Sequence, residues 1–282
     1  MTMLNYMEFS LFDRPFGFRW PRHAATLNPL AITDRPRPES IEAYILARCA
    51  ARSRRIAEFG TQFGLYSLVM AQALPDDGKL VGLEILPLNA QVSNENLKAN
   101  GLDGKAIVLH AAASNADGYQ PAQIDIHREN ASLLGPAGPI HGIGTMDVPQ
   151  FSLSRLDGFF GPFDMVKIDI EGFETHLVPA SGFDLTTISI AAIEIHPHAI
   201  SAVFGRDPIA LLRSFDPARY DGFLLIGENG RFSLHDLADE AAVARSLTAN
   251  AFLFKRGLHD DLVAELRAKV IAMNEAELAL AG

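Results

Sequence analysis

The chain predicts a doubly wound α/β domain on a mostly parallel, seven-stranded sheet with an antiparallel edge strand. Three observations carry this reading. From residue 55 onward, short apolar runs alternate with stretches of helical composition, a rhythm that implies parallel strands covered on both faces and joined by right-handed crossovers. Glycines stand at the first strand-to-helix junction, where such folds bend sharply. Two late apolar runs, GFLLI (222–226) and NAFLFK (250–255), are close enough in sequence to pair antiparallel at the sheet edge.

Residues 1–38 are rich in Phe, Pro and Arg, show no clear period and end in the loop-like TDRPRPES. They read as an arm or lid, with residues 39–282 forming a single domain. Ser40 suits a helix N-cap, and Ile41, Tyr44, Ile45 and Cys49 recur at helical spacing to about residue 51. RIAEF (55–59) is a buried strand, residues 64–74 a helix, PDDG (75–78) a turn and KLVGLE (79–84) the second strand. Residues 87–100 have helical composition and stop at Gly101, and KAIVLHAA (105–112) is the third strand.

Residues 114–150 are rich in Gly, Pro, Asn and Ser and receive no firm assignment, although QIDIH (123–127) and GIGTMDV (142–148) alternate weakly enough to form a small added hairpin. The core resumes with FDMVKIDI (163–170), a helix over 172–180, the strand SIAAIEIH (189–196) and a helix over 207–215. The last elements are GFLLI, the short RFSLH (231–235), a helical stretch over 236–247, NAFLFK and an amphipathic helix over 259–280.

Composition excludes several classes. A chain of 282 residues with 48% hydrophobic and 21% charged residues is an ordinary globular sequence. It has no run approaching the ~20 apolar residues of a membrane span, and its N-terminus carries acids where a signal peptide carries bases. A cytoplasmic protein without a membrane partner is expected. The formal charge of −10, without a long basic cluster, argues against nucleic acid as a partner. Cys49 is the sole cysteine, so no intrachain disulfide and no cysteine zinc site can form; its helical setting suits a small buried thiol.

Four stretches carry chemistry. Glu58-Phe59-Gly60-Thr61-Gln62-Phe63-Gly64 lies between a strand and a helix. Gly60 and Gly64 there let the backbone approach a ligand, and the free N–H groups of a helix start favour its polar part. The G-x-x-x-G spacing does not meet the dinucleotide fingerprint G-x-G-x-x-G. Glu84 ends the second strand at the same sheet edge, where an acid can accept hydrogen bonds from both hydroxyls of a ribose; a solvent-facing Glu at a strand end is the bland alternative.

KIDIEGFE (167–174) packs three carboxylates and a lysine where a strand emerges, which is costly unless they pair or act on a ligand. Asp169 and Glu171 are candidate catalytic groups, Lys167 a neutraliser and Glu174 a first-turn charge. Glu171 could equally serve the helix N-terminus. Finally, Glu194 and His196 point the same way from the fifth strand, and His196 can act as a base. His196 and His198 resemble half a metal site, but with no third close ligand in sequence no metal is expected.

These residues resemble the FkbM family of S-adenosylmethionine (SAM)-dependent methyltransferases. The family pattern of an acid-x-Gly loop, Glu-x-x-Pro, an Asn-rich helix, KIDxEGxE and a late IExH has counterparts in EFGTQFG (58–64), EILP (84–87), NLKAN (96–100), KIDIEGFE and IEIH (193–196), in order, over roughly residues 50–255. The loop departs from the family's Asp-x-Gly-Ala-Asn by a longer acid and a longer amide. The resemblance implies a Rossmann-like class I methyltransferase fold and SAM held by Glu58, Gly60, Gly64 and Glu84. It places AAASNADG (111–118), with Ala112 and Ala113, near the adenine. It also implies O-methylation of a hydroxyl on a sugar or secondary metabolite, with Asp169 or His196 as base.

A scaffold that kept the fold without turnover and an NAD-dependent oxidoreductase are the alternatives. The arm's Phe9, Phe12, Phe16, Phe18 and Trp20 could pack on the body, pack on a second subunit in a homodimer, or close over the acceptor.

Overall fold

The computed structural model describes residues 4–11, 14–21, 38–125, 130–133, 144–178, 187–228 and 231–281. The chain begins with an antiparallel hairpin of β1 (Leu4–Leu11) and β2 (Arg14–Pro21), followed by α1 (Pro38–Ala50). The segment expected to lack regular structure is therefore two strands. A period of two was present in it: Phe9 is buried between exposed Glu8 and Ser10, and Phe16 and Phe18 are buried on either side of the half-buried Gly17. The rest of the arm, residues 1–3, 12–13 with Phe12, and 22–37, lies outside the described residues.

The core follows as β3 (Arg55–Phe59), α2 (Leu65–Ala73), β4 (Lys79–Glu84), α3 (Pro87–Ala99) and β5 (Ala106–His110). Next come β6 (Ala112–Ala113), β7 (Gly118–Asp125), β8 (Asn130–Leu133) and β9 (Gly144–Phe151), then α4 (Leu153–Phe160), β10 (Met165–Ile168) and α5 (Glu174–Leu177). The chain continues through β11 (Ile190–Ile195), α6 (Pro197–Ala202), α7 (Ile209–Arg213), β12 (Tyr220–Glu228), β13 (Arg231–Asp236), α8 (Glu240–Arg245), β14 (Ala249–Lys255) and α9 (Asp260–Ala281). Parts of the helix expected over 172–180 and of the hairpin expected from residues 123–127 and 142–148 lie outside the described residues. Within them, β7 pairs antiparallel with β9, and β6 and β8 complete a four-stranded sheet.

Among the described residues the main sheet has eight strands in the order β13-β12-β14-β11-β10-β3-β4-β5. Strands β11, β10, β3, β4 and β5 are mutually parallel. The doubly wound, mostly parallel architecture is as expected, with two corrections. RFSLH becomes an eighth strand that takes the edge beyond the expected antiparallel pair of GFLLI (β12) with NAFLFK (β14), and within that pair β14 lies inward, between β11 and β12. The reason is burial. Ala251 to Phe254 of β14 are all at most 1% exposed, which demands cover from neighbours on both sides, whereas the polar, alternating β13 tolerates the outermost position.

Alternate side chains of each strand enter two apolar layers. Ile56, Met165, Ile190 and Ala192 meet α1, α2, α3, α9 and the hairpin's Phe9, Phe16 and Phe18. Ala57, Val166, Ile168, Ala191 and Ile193 meet α4 to α8. By the same period of two, Glu58, Lys167 and Glu194 belong to the α1/α2 side. Cys49 lies fully buried on α1, and burial pushes its thiol pKa up. Among the described residues no helix is long and apolar enough to cross a membrane.

Candidate active site

The carboxyl ends of β3, β4, β5 and β10 surround a narrow cleft of about 30 Å³ lined by Gly60, Glu84, Ala111 to Ala113, Asp169 and Phe173, together with Leu83, Ile85 and Ile170. A cleft at this edge of a parallel sheet is where such folds bind ligands. Gly60 has φ +81°, and a Cβ there would stand 1.8 Å from the Asp169 carbonyl oxygen. The first demand for glycine is therefore the crossing of the β3 turn against the end of β10. Gly64, at φ +80°, opens α2 and would drive a Cβ to 3.0 Å from Ser93 of α3. It does not line the cleft.

Glu84 holds the loop between them. Its Oε2 accepts from the Gln62 N–H (2.8 Å) and its Oε1 from the Leu86 N–H (2.9 Å). Burial pushes its pKa up to about 7 against these amide bonds. Each oxygen keeps a lone pair, so the carboxylate can still receive ligand hydroxyls. Glu58 sits beneath the loop, outside the cleft. Its Oε2 accepts from the Ser67 hydroxyl at 2.5 Å, its Oε1 is buried without a hydrogen-bond partner among the described residues, and burial raises its pKa to about 7 despite Lys167. Of the six residues expected at a cofactor, Gly60, Glu84, Ala112 and Ala113 thus line the cleft, and Glu58 and Gly64 support it from outside.

Nucleoside chemistry suits this lining. It offers a carboxylate for ribose hydroxyls, three alanines too small to block a flat ring, and the apolar Ile85 and Phe173 to flank one. Phe173 was not anticipated from sequence; its signal was an aromatic residue just past the end of the acidic β10 strand.

Asp169 also belongs to a second group, across the sheet edge from Glu84. Lys167, 2% exposed, directs its ammonium to Asp169 Oδ2 (3.3 Å) and lies 5.0 Å from the Tyr66 ring centre. His196 Nε2 stands 3.9 Å from Asp169 Oδ1, 3.9 Å from Glu171 Oε2 and 3.8 Å from Glu194 Oε1, while its Nδ1 is 3.0 Å from Glu174 Oε1. Glu174 is fully buried, and its Oε1 also accepts from the Ile170 N–H. It is the first-turn acid of α5, as expected, and in addition the orienting partner of His196. Glu171 joins the group from a left-handed backbone conformation, φ +56°.

Burial favours neutral groups here and opposite charges override it in part. For Asp169 burial acts upward, but Lys167 and His196 outweigh it and hold the carboxyl below its usual range. For His196 burial acts downward, yet its hydrogen bond with Glu174 and the charges of Glu174, Glu194 and Asp169 raise it well above 6.5. Burial and Asp169 together raise Glu194 well above its usual range. The three candidate catalytic residues are therefore in one place, with His196 held as an imidazolium in the free protein. The expected His196 and His198 pair is not brought together as a site, since exposed His198 is not in the group, but one ligand atom each of Asp169, Glu171 and His196 lies within 4.8 Å of the others, a spacing able to hold a metal ion. A carboxylate on the far nitrogen of a ligating histidine is the usual outer support of such a site.

The sequence profile of a family described as O-methyltransferase matches residues 43–118, from α1 to the start of β7. No curated protein matches the chain. Solved structures similar to it include an O-methyltransferase from Bacillus cereus in complex with SAH (15% identity, 83% of this chain and 84% of the other, TM-score 0.45). Others are the O-methyltransferase TomG from Streptomyces achromogenes in complex with SAM (17%, 78% and 80%, 0.42) and an rRNA methylase from Streptococcus thermophilus (10%, 78% and 96%, 0.46).

Proposed function

We propose that this chain is a SAM-dependent O-methyltransferase of FkbM type acting on a hydroxyl of a small molecule, a sugar or secondary metabolite. The observation that carries the reading is the double membership of Asp169: it lines the nucleoside-suited cleft and also anchors the Lys167, Glu171, Glu194 and His196 cluster. A methyl donor over Gly60 and Glu84 thereby faces an acceptor at the ends of β10 and β11. Support comes from the profile match over residues 43–118, which include Gly60, Glu84 and Ala111 to Ala113 of the cleft, and from the ordered motifs out to IEIH. The net charge of −10 favours a small acceptor over nucleic acid.

SAM, when bound, supplies an electrophilic methyl group for in-line displacement. The protein aligns the hydroxyl and takes its proton. Asp169, held ionised by Lys167, is the acceptor of that proton, because His196 already carries one in the free protein. The fixed Nδ1 of His196 also favours a second version, in which a divalent cation on Asp169, Glu171 and His196 replaces the imidazolium proton and acidifies the hydroxyl.

Calorimetry with S-adenosylhomocysteine beside NADH tests the reading. Micromolar binding of the first, lost in Glu84→Ala, is expected; preference for NADH, or binding of neither, would overturn it. Transfer from labelled SAM to a panel of sugar and metabolite hydroxyls, with and without EDTA, separates the two versions.

A further inference from the structure

The face of α3 towards the N-terminus carries three side chains that the mechanism does not use. Ser93 Oγ donates to the Gln62 carbonyl at 2.9 Å. Asn96, fully buried, donates from Nδ2 to the Phe63 carbonyl (2.9 Å) and to the Arg19 carbonyl of β2 (2.9 Å), while its Oδ1 accepts from the Arg19 N–H (2.9 Å). Asn100 makes the matching pair with Gly17, two residues earlier on β2, accepting at 2.9 Å and donating at 2.8 Å. The hairpin edge is thus satisfied by a row of side-chain amides in place of a third strand. Asn100 touches the hairpin and its own helix, whereas Asn96 touches the hairpin and the loop that Glu84 grips through Gln62.

We infer that Asn96 is a positioning residue that clamps the loop 60–64 to the N-terminal hairpin and so sets the cofactor cleft. This rests on the cofactor reading above for its consequence in binding, but not for the clamp itself. The loop needs such a clamp: Gln62 holds φ +49° and Gly64 φ +80°, conformations that a free loop leaves readily. A primary amide is the side chain that offers two donors and an acceptor at this length. Aspartate, of the same shape, would set one carboxylate oxygen against both the Phe63 and Arg19 carbonyls in place of the amide donor.

The test uses the full-length chain with Asn96→Asp and Asn100→Ala, reading amide hydrogen exchange together with S-adenosylhomocysteine affinity and SAM kinetics. Asn96→Asp should expose the Gln62 and Gly64 amides while Val166 and Ala191 in the central strands stay protected. It should weaken S-adenosylhomocysteine by about tenfold or more, raising KM for SAM with kcat held. Asn100→Ala should loosen hairpin amides alone and change affinity by less than about twofold. Unchanged loop protection in Asn96→Asp, or equal loosening of the loop in Asn100→Ala, overturns the inference. Should the unsubstituted chain bind no S-adenosylhomocysteine, the cofactor reading falls while the exchange pattern still decides the clamp.

Discussion

At the ends of β3 and β4 the carboxylates are bonded to the protein itself: Glu84 to two backbone amides and Glu58 to the Ser67 hydroxyl. At the ends of β10 and β11 three carboxylates stand 3.8–3.9 Å from one imidazole nitrogen, beyond hydrogen-bond reach of it. The first arrangement spends its acceptors on holding a loop in shape. The second keeps charge close together, restrained by Lys167 and an imidazolium, where a hydroxyl proton or a cation can be received. Two acidic groups at one sheet edge thus divide into a frame and a reactive centre because their partners differ.

The largest expected break in that contrast is Asp169→Asn. It should lower turnover by about 10²–10⁴-fold with S-adenosylhomocysteine affinity nearly retained, measured by initial rates beside calorimetry; wild-type turnover would make Asp169 part of the frame. Next is Glu174→Gln, which removes the charge behind His196 with little change of shape. A loss of about ten- to a hundredfold in activity or in divalent-cation affinity is expected, and an unaffected variant would show that the imidazole is held by packing alone.

The smallest effect concerns the frame. Burial raises Glu58 from its ordinary value of 4.5 to about 7, so it binds its proton more tightly folded than unfolded. The stability this confers is complete below pH 4.5 and is lost as pH rises through 7. Glu58→Gln lacks that loss, and melting curves between pH 5 and 8 should show it gaining on the wild type by up to about 3 kcal/mol. A difference independent of pH would mean that Glu58 is not buried as an acid.

Much of this site is legible in the chain. The strand-ending positions of Glu84, Asp169 and His196 follow from apolar runs that stop at charged residues, and the structure brings all three to one sheet edge. Glu174 was legible as a first-turn acid but not as the partner of His196, because a glutamate just past a strand looks the same whether it faces solvent or the inward Nδ1 of a histidine 22 residues later. The hairpin was missed because six aromatics and two prolines within residues 4–21 obscured an alternation that has meaning once α3 supplies its amides.

By itself the sequence determined the alternation of strands and helices, the glycine turn and the acidic strand ends, since these depend on periodicity and on backbone conformations that few residues adopt. Tertiary structure alone decided that NAFLFK would run inside the sheet, that Gly60 answers to the Asp169 carbonyl, and that Asn96 bridges a hairpin and a loop 77 and 33 residues away. Each of these depends on which surfaces meet, and no local pattern records a contact between distant segments.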